Sequence, residues 1–198
     1  EDGYPDIILA LRGSGRVLVL QNNPSAHFDF LKVESNMEAE NVIHIDSGDI
    51  DGDGDIDIVA TGKYESSSEY YIQWFRNGGE LWFTEDNEKL TFSDHLALEF
   101  DSTQINNPKS LSLGDADQDG DLDLAVASSL DGNFSLFLND GNGSFSTLVS
   151  IYDETDGQAQ GVKFVDLNND SNLDLIITTK NASKLGVILQ SSAGGAVF

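Results

Sequence analysis

Cysteine is absent from the 198 residues, so disulfides and cysteine-ligated zinc or iron–sulfur centres are excluded, and thiol usage says nothing of the redox compartment. Basic residues are scarce: 10 Lys and Arg stand against 35 Asp and Glu, a formal net charge of -25. Such a charge repels nucleic acid and anionic membranes at long range, and neither is expected as a partner. No apolar run approaches the ~18 residues of a membrane span, and no charged-then-apolar leader opens the chain. Sustained 3.6-residue periodicity with helix caps is missing. So are His-Glu-x-x-His, Gly-x-Ser-x-Gly and a phosphate-binding glycine loop, which leaves no motif for an enzyme reading to rest on. A hydrophobic content of 39% is that of an ordinary globular protein with one sizeable core, so disorder does not explain the acidity. Cations are the natural partners of this chain.

What is present is a repeat. An acidic nonamer occurs three times, as Asp49-Ile50-Asp51-Gly52-Asp53-Gly54-Asp55-Ile56-Asp57, Asp115-Ala116-Asp117-Gln118-Asp119-Gly120-Asp121-Leu122-Asp123 and Asp166-Leu167-Asn168-Asn169-Asp170-Ser171-Asn172-Leu173-Asp174. Asp2-Gly3 and Asp6 fit its second half, which suggests a chain cut from a longer polypeptide. Each copy is followed by an apolar run, Ile7 to Leu9, Ile58 to Ala60, Leu124 to Val126 and Leu175 to Ile177, the pattern of a strand buried on both faces. Further on, alternating apolar residues end in an Asn/Gly turn and resume at an aromatic. Asn77-Gly78-Gly79 before Leu81 to Phe83, and Asn139 to Gly143 before Phe145, read as hairpin turns. Val17 to Phe28 and Leu185 to Phe198 repeat the arrangement with weaker turns.

One unit is therefore four strands: an opening strand such as Val42 to Ile45, the acidic turn, the apolar strand and the hairpin. The last Asp of the nonamer falls at residues 6, 57, 123 and 174, intervals of 51, 66 and 51 residues. The longer interval predicts an insertion between about Asp86 and Asn107, with Leu96 to Phe100 as an extra strand. Four-stranded units at this period are what the blades of an all-β propeller require, because a lone sheet leaves its faces wet. The expectation is one domain over 1–198 with about four blades, at 1–40, 41–107, 108–160 and 161–198. A closed ring wants more, around seven, so a larger propeller or a self-association that completes the ring is expected.

Carboxylates at turn positions 1, 3, 5 and 9, with glycine at 6 for the sharp bend, gather hard oxygen donors around one point, the preference of Ca²⁺. Five aspartates at alternate positions would repel one another without a cation. An EF-hand is excluded, since position 12 is Ala60, Val126 or Ile177 where a bidentate Glu is needed.

The Asp-x-Asp-x-Asp-Gly-x-x-Asp turn with its hydrophobic strand, together with Leu138-Asn139-Asp140-Gly141-Asn142-Gly143-Ser144-Phe145, resembles the FG-GAP and VCBS-type repeats of integrin α-subunit propellers and secreted bacterial proteins. The resemblance implies Ca²⁺ held by side chains at positions 1, 3, 5 and 9 and by the carbonyl at 7. These are Asp49, Asp51, Asp53, Asp55 and Asp57, then Asp115, Asp117, Asp119, Asp121 and Asp123. In the third copy they are Asp166, Asn168, Asp170, Asn172 and Asp174, where Asn168 and Ser171 depart from the pattern and predict weaker binding. Asp2 and Asp6 are a partial fourth site. It further implies an extracellular or cell-surface binding or adhesion module, with a protein or carbohydrate ligand on the face opposite the turns. The segments there hold Arg12, Arg16, Lys63, Lys180 and Lys184. An accessory or catalytic propeller of a polysaccharide-degrading enzyme and a structural spacer are the alternatives. Trp74 and Trp82 are expected to pack between blades, and His27, His44 and His95 to be structural.

Overall fold

The computed structural model describes residues 5–11, 16–22, 31–33, 40–67, 69–84, 87–97, 105–130, 132–153, 158–181 and 183–190. Asp2, Arg12 and His27 lie outside them, as do the side chains of Trp82 and His95. The described chain is all β: fourteen strands in four antiparallel sheets, with no helix and hence none long and apolar enough to cross a membrane. Sheet 1 holds β1 (Ile7–Leu11), β2 (Arg16–Gln21) and β3 (Leu31–Val33). Sheet 2 holds β4 (His44–Gly48), β5 (Asp57–Lys63), β6 (Tyr70–Thr84) and β7 (Asn87–Ala97). Sheet 3 holds β8 (Pro108–Gly114), β9 (Asp123–Ser128), β10 (Asn133–Asn139) and β11 (Phe145–Asp153). Sheet 4 holds β12 (Ala159–Val165), β13 (Asp174–Thr179) and β14 (Leu185–Ile188). In each sheet the strands lie in sequence order, each pairing antiparallel with the next.

Period-2 alternation decides how the sheets stack. Ile58 and Ala60 of β5 face sheet 1, packing with Val17 and Val19, while Val59 faces the other way among Leu111, Leu124 and Phe137 of sheet 3. Leu124 and Val126 of β9 point back at sheet 2; Ala125 and Ala127 point on to Phe164, Leu175 and Ile177 of sheet 4. Apolar runs without polar alternation are thus strands sandwiched between two sheets, as the sequence predicts for 58–60 and 124–126. Each large side chain so buried contributes about 1.5–3 kcal/mol.

The first strands of sheets 2, 3 and 4 form a seam. His44 Nδ1 accepts the Leu111 N–H at 3.4 Å and Asp46 Oδ2 accepts the Leu113 N–H at 3.0 Å. One sheet on, Ser110 Oγ accepts from the Val162 N–H at 3.3 Å and Ser112 Oγ accepts from the Phe164 N–H at 3.3 Å. Side chains two residues apart on one strand thus satisfy alternate N–H groups of the next, groups with no ladder partner on that side. Both contacts advance in the same direction, so β4, β8 and β12 run parallel and their turns emerge at one end. Burial holds the His44 imidazole below its ordinary value against the opposing pull of Asp46, in keeping with its acceptor role at this seam.

Three expectations are corrected. The strand expected at Ile7 to Leu9 is not buried on both faces: Ile7, Leu9 and Leu11 are exposed, because among the described residues only the Ile8 side of β1 meets a neighbouring sheet. Asn77-Gly78-Gly79 is not a hairpin turn. The strand runs on to Thr84, absorbing these residues as a bulge between the Asn77–Phe92 and Leu81–Leu90 pairs. The extra length of the longer interval therefore lies largely in an extended β6–β7 hairpin, and Leu96 and Ala97 close β7 itself, the fourth strand of sheet 2; residues 98–100 lie outside the described residues.

The Asn139 to Gly143 turn does join two strands, and its Gly143 meets Trp74 of the preceding sheet. Trp74 is buried in the cluster shared by sheets 2 and 3. Gly143 has φ +78°, and a Cβ there would stand 2.3 Å from Trp74 Cζ3. Gly143→Ala is predicted to lower unfolding stability by about 2–4 kcal/mol, from left-handed strain plus overpacking. Urea unfolding at fixed calcium checks it; a change under about 0.5 kcal/mol, the range of neutral surface substitutions, would show that the close packing is not needed.

Candidate metal centres

The acidic turns join the first two strands of sheets 2, 3 and 4 and share one hydrogen-bond pattern. Position 1 accepts from the N–H of position 6: Gly54 to Asp49 Oδ2 at 2.9 Å, Gly120 to Asp115 Oδ2 at 3.2 Å, Ser171 to Asp166 Oδ2 at 3.0 Å. Position 5 accepts from position 7, as Asp55 to Asp53 Oδ1, Asp121 to Asp119 Oδ1 and Asn172 to Asp170 Oδ1 show. Position 6 is left-handed in all three, with φ +94° at Gly54, +102° at Gly120 and +69° at Ser171. Only glycine takes that conformation without strain, so the third turn is the costlier one. Position 4 is left-handed too, at Gly52, Gln118 and Asn169, which the nonamer pattern does not reveal.

The most buried acid is at position 9. Asp57, Asp123 and Asp174 are fully buried, and both oxygens of each accept backbone N–H groups. Oδ2 takes the N–H of position 2, from Ile50 at 3.2 Å, Ala116 at 2.7 Å and Leu167 at 3.1 Å. Oδ1 takes an N–H from Asn77 at the β6 bulge (2.7 Å), from Asn139 at the end of β10 (3.0 Å) and from Gln190 just past β14 (3.0 Å). In sheet 1, Asp6 Oδ1 likewise accepts from Asn22 at 2.8 Å. The latched residues carry side-chain amides that hook the turns. Asn77 Nδ2 donates to Ile56 O, and Asn139 Nδ2 donates both to Leu122 O of its own turn and to Ile50 O of the turn before. Gln190 Nε2 donates to Ala116 O, again one turn back. These amides escaped the sequence reading. Their signal is an Asn or Gln 16 residues after position 9, or 20 in sheet 2.

Positions 1, 3 and 9 converge. One carboxylate oxygen from each of Asp49, Asp51 and Asp57, and likewise from each of Asp115, Asp117 and Asp123, lies within 4.8 Å of the others in its group. Asp53, Asp55, Asp119 and Asp121 are outside those two groups. Asp49 Oδ1, Asp51 Oδ1 and Asp115 Oδ1 are shielded from water and have no hydrogen-bond partner. Buried anionic oxygens without a donor are costly, and a cation at the centre of each triad removes that cost. Both groups could therefore hold a metal ion, through hard oxygen donors alone. In the third turn Asn168 takes position 3, and its amide donates to Asp170 Oδ2 at 3.0 Å while its Oδ1 accepts from the Asp170 N–H at 2.9 Å. That turn is closed by its own hydrogen bonds.

Of the basic residues expected at the opposite end, Lys63 lies over the Tyr70 ring at 5.7 Å from its centroid, and Lys180 and Lys184 are exposed at the β13–β14 turn. The Arg16 side chain is outside the described residues.

Sheets of one design, each of the last three opened by an acidic turn and each stacked on the one before, define a tandem-repeat protein. The chain belongs to the FG-GAP-like repeat family, whose model matches residues 1–60, 49–126 and 115–177. The second and third matches run from the start of one acidic turn into the apolar strand after the next, so consecutive units share a turn. Comparison with curated proteins finds no match.

Burial raises Asp57 and Asp123 to about 6, with the N–H bonds from Asn77 and Ile50, and from Asn139 and Ala116, pulling the other way. Burial, then repulsion from Asp119, also raises Asp117. Against an unfolded Asp near ~3.9, the folded state holds these protons more tightly, so metal-free stability falls as pH rises from about 4 through about 6. In chelator the melting temperature should be higher at pH 5 than at pH 7. A higher value at pH 7 would show that burial is not the governing cost.

Proposed function

We propose that the chain is a segment of a β-propeller whose acidic turns bind Ca²⁺, and that it works as an extracellular or cell-surface module binding a protein or carbohydrate. The observation that carries the calcium reading is the set of shielded, donor-less oxygens at Asp49, Asp51 and Asp115. Ca²⁺ accepts six to eight oxygens in loose geometry, whereas Mg²⁺ keeps more water and transition metals favour nitrogen or sulfur. Positions 1, 3 and 9 would supply the converging carboxylates; position 5 and the carbonyl of position 7 would complete the shell. The ion neutralises the triads and stiffens the turns; it is scaffolding and does not touch the ligand.

The propeller reading is supported by the face-to-face stacking of like sheets in sequence order, and by family membership. The ligand end would be formed by the turns between second and third strands, where Lys63, Lys180 and Lys184 relieve an otherwise acidic surface.

Titration of the chelated protein with Ca²⁺ should reveal binding at the turns 49–57 and 115–123, and weaker binding at 166–174. At free calcium ~100 times Kd each site adds about 2.7 kcal/mol to stability. The same melting temperature in chelator and in millimolar Ca²⁺ would refute the scaffold role. Asn168→Asp, which restores the position-3 charge, should tighten the third site; weaker binding would refute the charge argument. Incubation with polysaccharides tests the binding role: retention without cleavage supports a binding module, and released oligosaccharide replaces it with an enzyme.

A further inference from the structure

The three acidic turns differ in what faces them. In sheet 2 the residue before the latched amide is Arg76; at the same place stand Leu138 in sheet 3 and Leu189 in sheet 4, the equivalence fixed by the Asn77, Asn139 and Gln190 bonds to position 9. Arg76 folds over the 49–57 turn. Its Nε is 2.5 Å from Asp51 Oδ2 and its Nη2 is 3.2 Å from Asp53 Oδ2. The first contact is an ion pair without aligned hydrogen-bond geometry, since Nε has no hydrogen-bond partner. The Asp51 side chain is only 7% exposed, and its other oxygen, Oδ1, has no partner.

We propose that Arg76 is a tethered cation that competes with Ca²⁺ for the position-3 and position-5 carboxylates of the 49–57 turn. The inference rests on reading the acidic turns as Ca²⁺ sites. A guanidinium and a metal ion cannot both draw on Asp51 and Asp53 at full strength, because each lowers the negative potential that the other needs. The Arg76 side chain is 42% exposed, so it can swing into water on a flexible stem when the ion arrives. The turn is therefore partly charge-compensated without metal, binds Ca²⁺ more weakly than 115–123, and releases Arg76 on binding. Leucine at the equivalent places offers no such competition.

Site-resolved NMR titration with Ca²⁺ separates the two turns, through the Gly54 and Gly120 amides that donate to Asp49 and Asp115. Wild type should fill 115–123 first. Arg76→Leu should tighten 49–57 by roughly three- to tenfold, the scale of a partly exposed, charge-assisted ion pair, and leave 115–123 within about twofold. The same variant should melt lower than wild type in chelator and gain more from Ca²⁺. Arg76→Gln, which keeps the stem, should behave alike if the leucine variant folds poorly. Unchanged or weakened affinity at 49–57 in a folded variant overturns the role of Arg76 while leaving the calcium reading intact. Absence of Ca²⁺ binding at both turns overturns the calcium reading itself.

Discussion

The aspartate at the end of each nonamer is the constraint on which the rest hangs. Asp57, Asp123 and Asp174 are buried without solvent contact, and each spends both oxygens on main-chain N–H groups from two directions. One bond closes the turn onto itself; the other ties it to the third strand or just past it. A carboxylate can accept two donors on each oxygen, so these bonds leave lone pairs for an ion. Remove the carboxylate and two buried N–H groups lose their partner together, at about 1–3 kcal/mol apiece. The remaining acids of the nonamer are held in register around that anchor.

Charge in this chain is concentrated and then managed locally. A net -25 spread evenly would oppose compaction, yet the acids that crowd closest are those given backbone donors, a neighbouring guanidinium or a shared focus for a cation. The apolar stack supplies the other half of the balance. Its alternation of Leu124 and Val126 with Ala125 and Ala127 sets large side chains toward sheet 2 and small ones toward Phe164, Leu175 and Ile177 of sheet 4.

Much of the architecture was legible because its signals are local. The nonamers fix three turns, the apolar runs fix the strands after them, and Asn139 to Gly143 fixes a hairpin. Asn77-Gly78-Gly79 carries the same local signal but is a bulge, because Leu81 to Thr84 find partners in Asn87 to Leu90 that a short turn would forgo. Local chemistry permits a bend there, and pairing further along decides against it. The aspartate pattern pointed to positions 1, 3, 5 and 9, of which 1, 3 and 9 converge in two turns, yet not to position 9 as a latch, since one of its two N–H donors lies 16 or 20 residues away. Arg76 was invisible for the same reason: the acids it meets, Asp51 and Asp53, lie more than 20 residues before it, and only the β5–β6 pairing brings it over the turn.

The amide hooks also give the array a direction. Asn139 reaches back to the turn of sheet 2 and Gln190 back to that of sheet 3, so sheets 2 and 3 are each clasped by their successor. On a ribosome, where the chain emerges from its N-terminus, a turn is finished only when the third strand of the following sheet has been made. Assembly would then advance in steps of one repeat, each nascent sheet using its predecessor as template. Loss of one hook would leave the turn of the sheet before it unfinished.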